Sequence, residues 1–218
     1  MPRLSSLSEA GATVVADASV TINLCASGAG DAILAALPFR VAMVPEAIAE
    51  VTGDRRTGRA DHLLLQQYLA AGLIERIALD ENAQEIFAGL VIGAAAETLD
   101  DGEAATIALG IAQGMTVAID EAKANGLCER RFPHLGRIAS SHLFMARGVV
   151  AALGPEAHLA ALFDALRFAR MRIDQQHLDQ VARLLGVSRL PECPSLPRAM
   201  RQRAQGAASR ICHAPTFS

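Results

Sequence analysis

Four carboxylates in this chain, Asp17, Glu50, Glu103 and Asp120, stand where chemistry could be done. Asp17 closes a short β-branched run, TVVA, and Asp120 closes a second apolar run, MTVAI. Glu103 follows Asp100 and Asp101 at the head of an alanine-rich stretch, LDDGEAATIALGIAQG, and Glu50 ends the segment PEAIAE. Carboxylates brought close together repel, and they stay ionised only when a cation neutralises them. Oxygen donors without Cys or His suit a hard ion, Mg2+ or Mn2+. Such an ion lowers the pKa of a bound water and clamps a phosphoryl oxygen, so the chemistry to expect is hydrolysis of a phosphodiester. Asp17, Glu103 and Asp120 are the candidate metal ligands. Ser19, Asn23 and Glu121 are near enough in sequence to hold a water or to orient those ligands.

For the acids to meet, the chain must place them at one end of a sheet. In an open parallel sheet, sites form beyond the carboxyl ends of the strands. The apolar patterning predicts strands at 13–16, 40–44, 73–79 and 115–119, with a short fifth at 136–139. Helices are expected between them: 20–26 capped by Ser19, 46–51 entered by Pro45, 59–71 closed by Gly72, 82–97, 103–113, 121–131, and 140–147. After a Gly154-Pro155 turn, two amphipathic helices are expected at 156–170 and 175–185. Strands alternating with helices imply an α/β fold whose parallel sheet is covered on both faces, with the last two helices closing one side. The expected organisation is a catalytic domain over 1–150, a helix pair over 151–190 packed on it, and an irregular basic tail over 191–218. If the strands ending in Asp17 and Asp120 are neighbours, both carboxylates face one crevice.

Composition narrows the classes. The chain has 218 residues, is 51% hydrophobic and has a mean hydropathy of +0.27, enough to bury a core of one α/β domain. Its net charge of −3 does not advertise a general nucleic-acid surface. The bases are nearly all Arg, Lys123 being the single Lys; Arg198, Arg201, Arg203 and Arg210 follow the last acid, Glu192. The four cysteines, Cys25, Cys128, Cys193 and Cys212, form no C-x-x-C or Cys/His pattern, which fits reduced thiols in the cytoplasm. No secretory leader pattern is evident, and no apolar run is expected to approach the ~18–20 residues of a membrane span. The six histidines have no ligand spacing, and G-x-G-x-x-G, P-loop and G-x-S-x-G motifs are missing.

Taken together, VVADASVTINL (residues 14–24), VPEAIAEV (44–51), LDDGEAATIALGIAQG (99–114) and TVAIDEAKA (116–124) resemble the PIN domain, in the prokaryotic branch whose third acid sits in a D-x-G-E-A motif. The likeness extends through IASSHLFMARG (138–148) and spans roughly residues 12–187. The resemblance implies a Rossmann-like three-layer fold of about five parallel strands and a Mg2+/Mn2+-dependent ribonuclease site. It assigns Asp17 as the first-strand acid, Glu50 as the helix acid, Glu103 as the acid of the D-x-G-E motif and Asp120 as the fourth-strand acid. It also implies an RNA substrate, and in many relatives a toxin role with an antitoxin protein and a homodimeric state. Arg55, Arg56 and Arg59, or Lys123 with Arg130 and Arg131, are the candidates for gripping RNA phosphates. Two other readings stay open: a non-catalytic module that keeps the acidic crevice, and a metal-dependent nuclease or phosphatase acting on another phosphoester.

Overall fold

A computed structural model describes residues 11–53, 58–92 and 98–211, with side chains to residue 206. Its elements run β1 (Thr13–Ala16), α1 (Ala18–Ala26), α2 (Gly30–Ala36), β2 (Arg40–Met43), α3 (Pro45–Glu50), α4 (Asp61–Ala70), β3 (Ile74–Arg76), α5 (Glu81–Val91) and α6 (Asp101–Gln113). There follow β4 (Thr116–Ala118), α7 (Ala122–Arg131), β5 (Arg137–Ile138), α8 (Ser140–Phe144), α9 (Arg147–Asp164), α10 (Leu178–Arg189) and α11 (Arg198–Ile211). All five strands are parallel, in the order β3-β2-β1-β4-β5. This is the three-layer, Rossmann-like α/β architecture that the alternation of elements anticipates.

The strand order reverses direction between β1 and β4. Val14, Val15 and Ala16 pair with Thr116, Val117 and Ala118. Those two central strands carry fully buried Val14, Val15, Val117 and Ala118, as a sheet covered on both faces requires. α6 is buried nearly all round, from Gly102 to Gly110, and packs on α3 and α5 as well as on the sheet. Small residues permit this approach. A Cβ added at Gly110 would sit 2.4 Å from the Val117 side chain, so nothing larger than glycine fits there. At the far end Gly114 closes α6 in the left-handed conformation (φ 64°).

Several expected boundaries shift. Asp17, not Ser19, caps α1: the Asp17 carboxylate accepts from the Ser19 N–H, so the helix begins two residues earlier. The expected helix at 82–97 is described as α5 alone; residues 93–97 lie outside the described residues, as do Arg55 and Arg56. The turn at Gly154 is present as a break inside α9 (φ 71°), followed by Pro155. The α9 axis then continues through a π-helical turn, Ala165–Ala169, to Arg170, a non-glycine residue in the left-handed region (φ 59°).

The expectation of an irregular tail over 191–218 needs correction. Pro191, Pro194 and Pro197 confine the irregular backbone to the stretch before α11, whose Ala, Arg and Gln favour helix. Cys193, Leu196 and Ala204 are buried and join this segment to the common core. The span Arg147–Ala169 is also more apolar than expected: an 18-residue window within it has a mean hydropathy of 1.4 and passes for a membrane-crossing helix by length and composition. Within the fold it packs on α2, α8 and α10, and its buried His158 hydrogen-bonds the Phe144 carbonyl.

Candidate functional site

Each of the four acids is set by the end of an element. Asp17 follows β1, and its backbone N–H donates to the Ala118 carbonyl of β4 at 3.1 Å. Asp120 follows β4 by two residues, so the two carboxylates emerge side by side where the strand order reverses, the place at which parallel sheets build their sites. Glu103 stands on the first turn of α6 and Glu50 on the last of α3, two helices in contact. The cleft they share is about 630 Å3, and Asp17, Asn23, Glu50, Asp100, Glu103 and Asp120 line it.

Local hydrogen bonding holds the acids at fixed angles. Asp17 Oδ2 accepts from the Ser19 hydroxyl at 2.7 Å and its N–H at 3.2 Å, while the buried Oδ1 has no partner. Asp120 Oδ1 accepts from the Ser140 N–H and Oδ2 from the Asn23 amide, each at 2.8 Å. That same amide donates to the Ser140 hydroxyl at 2.9 Å, tying α1 to α8 beneath Asp120. The free N–H groups at the start of α6 hold two more carboxylates: Asp100 accepts from Glu103 N–H at 3.1 Å, and Glu50 Oε1 from Gly102 N–H at 2.7 Å. The glycine of the D-x-G-E motif therefore has a physical reason. A Cβ at Gly102 would lie 2.6 Å from the Glu50 carboxyl.

The cleft is electrostatically unbalanced. Asp17 is 4%, Glu103 6% and Asp120 9% exposed, and no Lys or Arg among the described residues forms an ion pair with any of the three or with Glu50. Burial, and then the negative charges of Asp100, Asp17, Glu121 and Glu50, push the Glu103 carboxyl up to about 8. Burial also raises Asp17, against the pull of the Ser19 hydrogen bonds. It raises Asp120 too, against the Ser140 bond and the Arg172 charge. Glu50 rises for the same first cause, opposed by its Gly102 hydrogen bond. A cluster of acids with raised pKa values, none of them in an ion pair with a Lys or Arg among the described residues, is an electrostatic setting that favours a bound cation.

The donors fit a hard divalent ion in kind: all are carboxylate oxygens, and the orphaned Asp17 Oδ1 lies among them. They are not drawn into a finished shell, since no group of three or more Asp, Glu, His or Cys side chains among the described residues is close enough to hold an ion as it stands.

Other expected participants divide. Ser19 and Asn23 act on Asp17 and Asp120 directly. Glu121 caps α7 and is exposed at the rim of the cleft, beside Lys123. Arg59 is instead engaged with buried Asp61 through two bonds of 2.9 Å. Arg130 and Arg131 end α7 away from the cleft lining, with Arg131 over the Phe132 ring at 5.3 Å. The sequence reading missed Arg170 and Arg172, which line the cleft from the far end of the α9 axis. Arg172 Nη1 reaches the Asp120 carbonyl at 3.4 Å. No local pattern marks these arginines; they arrive because the turn at 165–169 packs back on α1 and buried Met171 pins the chain between them. Ser140 opens α8, and its hold on Asp120 shows only in three dimensions.

Compared with known protein families, curated proteins and solved structures, the chain has no match.

Proposed function

We propose that this chain is a divalent-metal-dependent ribonuclease of PIN-domain type. The observation that carries the reading is the pairing of β1 with β4. It sets Asp17 and Asp120 side by side in a predominantly acidic cleft that Glu103 and Glu50 complete. Asp17, Glu103 and Asp120 would hold Mg2+ or Mn2+, which when bound supplies a Lewis acid for a phosphoryl oxygen and an acidified water. The chain's own contribution is positional. Ser19 leaves Asp17 Oδ1 free for the ion, Asn23 and Ser140 fix both oxygens of Asp120, and Gly102 steadies Glu50. Lys123, Arg170 and Arg172, all exposed at the rim, would bind the phosphates flanking the one to be cut.

We further assign the protein to the cytoplasm, in keeping with three free, buried cysteines. The family resemblance supports a toxin role, with an antitoxin partner and a homodimer to be sought by co-purification. The direct test is cleavage of single-stranded RNA in Mn2+ by wild type, Asp17→Asn and Asp120→Asn. Cleavage by wild type alone supports the reading; equal activity in all three would sink it.

A further inference from the structure

A second cleft adjoins the acidic one. Its volume is about 280 Å3, and it shares two residues with its neighbour, Asp120 and Arg172. Apolar walls come from Ile119 and Ile138, at the ends of β4 and β5, and from Ile173. Polar groups come from Arg137, His142 and Asp174. Arg137 is anchored: its Nη1 donates to the Asn125 carbonyl at 2.6 Å and its Nη2 faces Glu129 at 3.7 Å, while its buried Nε has no partner. His142 accepts the Ala139 N–H at Nδ1, and its Nε2 meets the Gln176 side-chain amide, so the ring is held at both nitrogens.

Resting on the ribonuclease reading above, we propose that this second cleft seats the nucleobase next to the scissile phosphate and sets the sequence preference of cleavage. Three observations carry the inference. The volume lies just below the ~300–1,000 Å3 of drug-sized ligand pockets, which suits a single nucleoside. The lining pairs apolar faces with fixed donors and acceptors, the combination that reads splayed bases of single-stranded RNA. The lining sets Asp120, Glu129 and Asp174 against Arg137 and Arg172, a small excess of negative charge, so a neutral base is a better occupant than a second phosphate. Arg172 stands on the border of both clefts, where a phosphate held beside the acids directs its attached nucleoside into the second.

The test is binding to the full chain in EDTA of the four nucleoside 5′-monophosphates, with ribose 5-phosphate and inorganic phosphate as baseless probes. The expected result is that at least one nucleotide binds about tenfold more tightly than ribose 5-phosphate, with clear discrimination among bases. Ala122→Phe, at an exposed first-turn position of α7 lining this cleft, should abolish that advantage while thermal melting stays unchanged. Nucleotides binding no better than ribose 5-phosphate, or a preference that survives Ala122→Phe, would overturn the proposal. Cleavage of a randomised RNA in Mn2+ separates the two ideas. Base discrimination without any cleavage leaves the pocket standing and the nuclease reading failed. Cleavage indifferent to flanking sequence, with no base discrimination in binding, does the reverse.

Discussion

Replacing Glu103 with Gln removes one negative charge from a cleft where six carboxylates face three basic side chains, and keeps nearly the same shape. In the folded chain the carboxyl titrates at about 8, against an ordinary value of 4.5. A group whose folded pKa is raised favours folding while protonated. That contribution is complete below pH 4.5 and is lost as pH rises, until the folded group itself ionises near pH 8. The full difference between the two values would correspond to about 5 kcal/mol. Water in the open cleft screens the charges, and a realistic cost is about 2 kcal/mol. In EDTA, Glu103→Gln should therefore melt with wild type at pH 5 and about 4–8 °C above it at pH 8. Adding Mn2+ at pH 8 should raise wild type more than the variant, because the ion meets a carboxylate in one and an amide in the other. Matching melting temperatures at pH 5 and pH 8 alike would refute the claim that Glu103 sits uncompensated among like charges.

Two further outcomes follow from contacts around the cleft. Gly102→Ala should leave stability within about 1 kcal/mol of wild type, since only the flexible Glu50 end must move. It should nonetheless weaken Mn2+ binding severalfold by displacing Glu50 from the Gly102 N–H, as calorimetry would show; unchanged affinity would remove Glu50 from the site. Burial lowers the pKa of His142, and of His177 beside it, despite the nearby Asp174 charge. Stability from these rings is present above their ordinary 6.5 and is lost as pH falls, because protonation takes the Nδ1 acceptor from the Ala139 N–H. Urea unfolding at pH 7.5 and 5.5 should show a smaller acid loss in His142→Asn than in wild type, and an equal loss would contradict the assignment.

The acids themselves were legible in the sequence for a simple reason. Asp17 and Asp120 each end a β-branched apolar run, and polarity that breaks such a run marks the strand end where parallel sheets place their chemistry. The adjacency of β1 and β4 was a condition the sequence could state but not decide, because strand order depends on which helices cover which face. Competition between neighbouring caps hid the start of α1: Asp17 and Ser19 can both cap, and Asp17 does so while also facing the cleft. Composition misled at the C-terminus, where three prolines suggested irregularity but only delimit the start of α11. Arg172 was invisible for a different reason. It lies 52 residues from Asp120, and only the return of the π-helical turn onto α1 brings the two together.

We propose that the cleft beyond the carboxyl ends of β1 and β4 holds a divalent cation. Calorimetric titration of Mn2+ into the metal-free chain, beside Asp17→Asn, tests it most directly. The expected result is a single saturable site in wild type that Asp17→Asn removes while the fold, followed by circular dichroism, is retained. Absence of saturable binding in wild type, or the same affinity in both proteins, would contradict it.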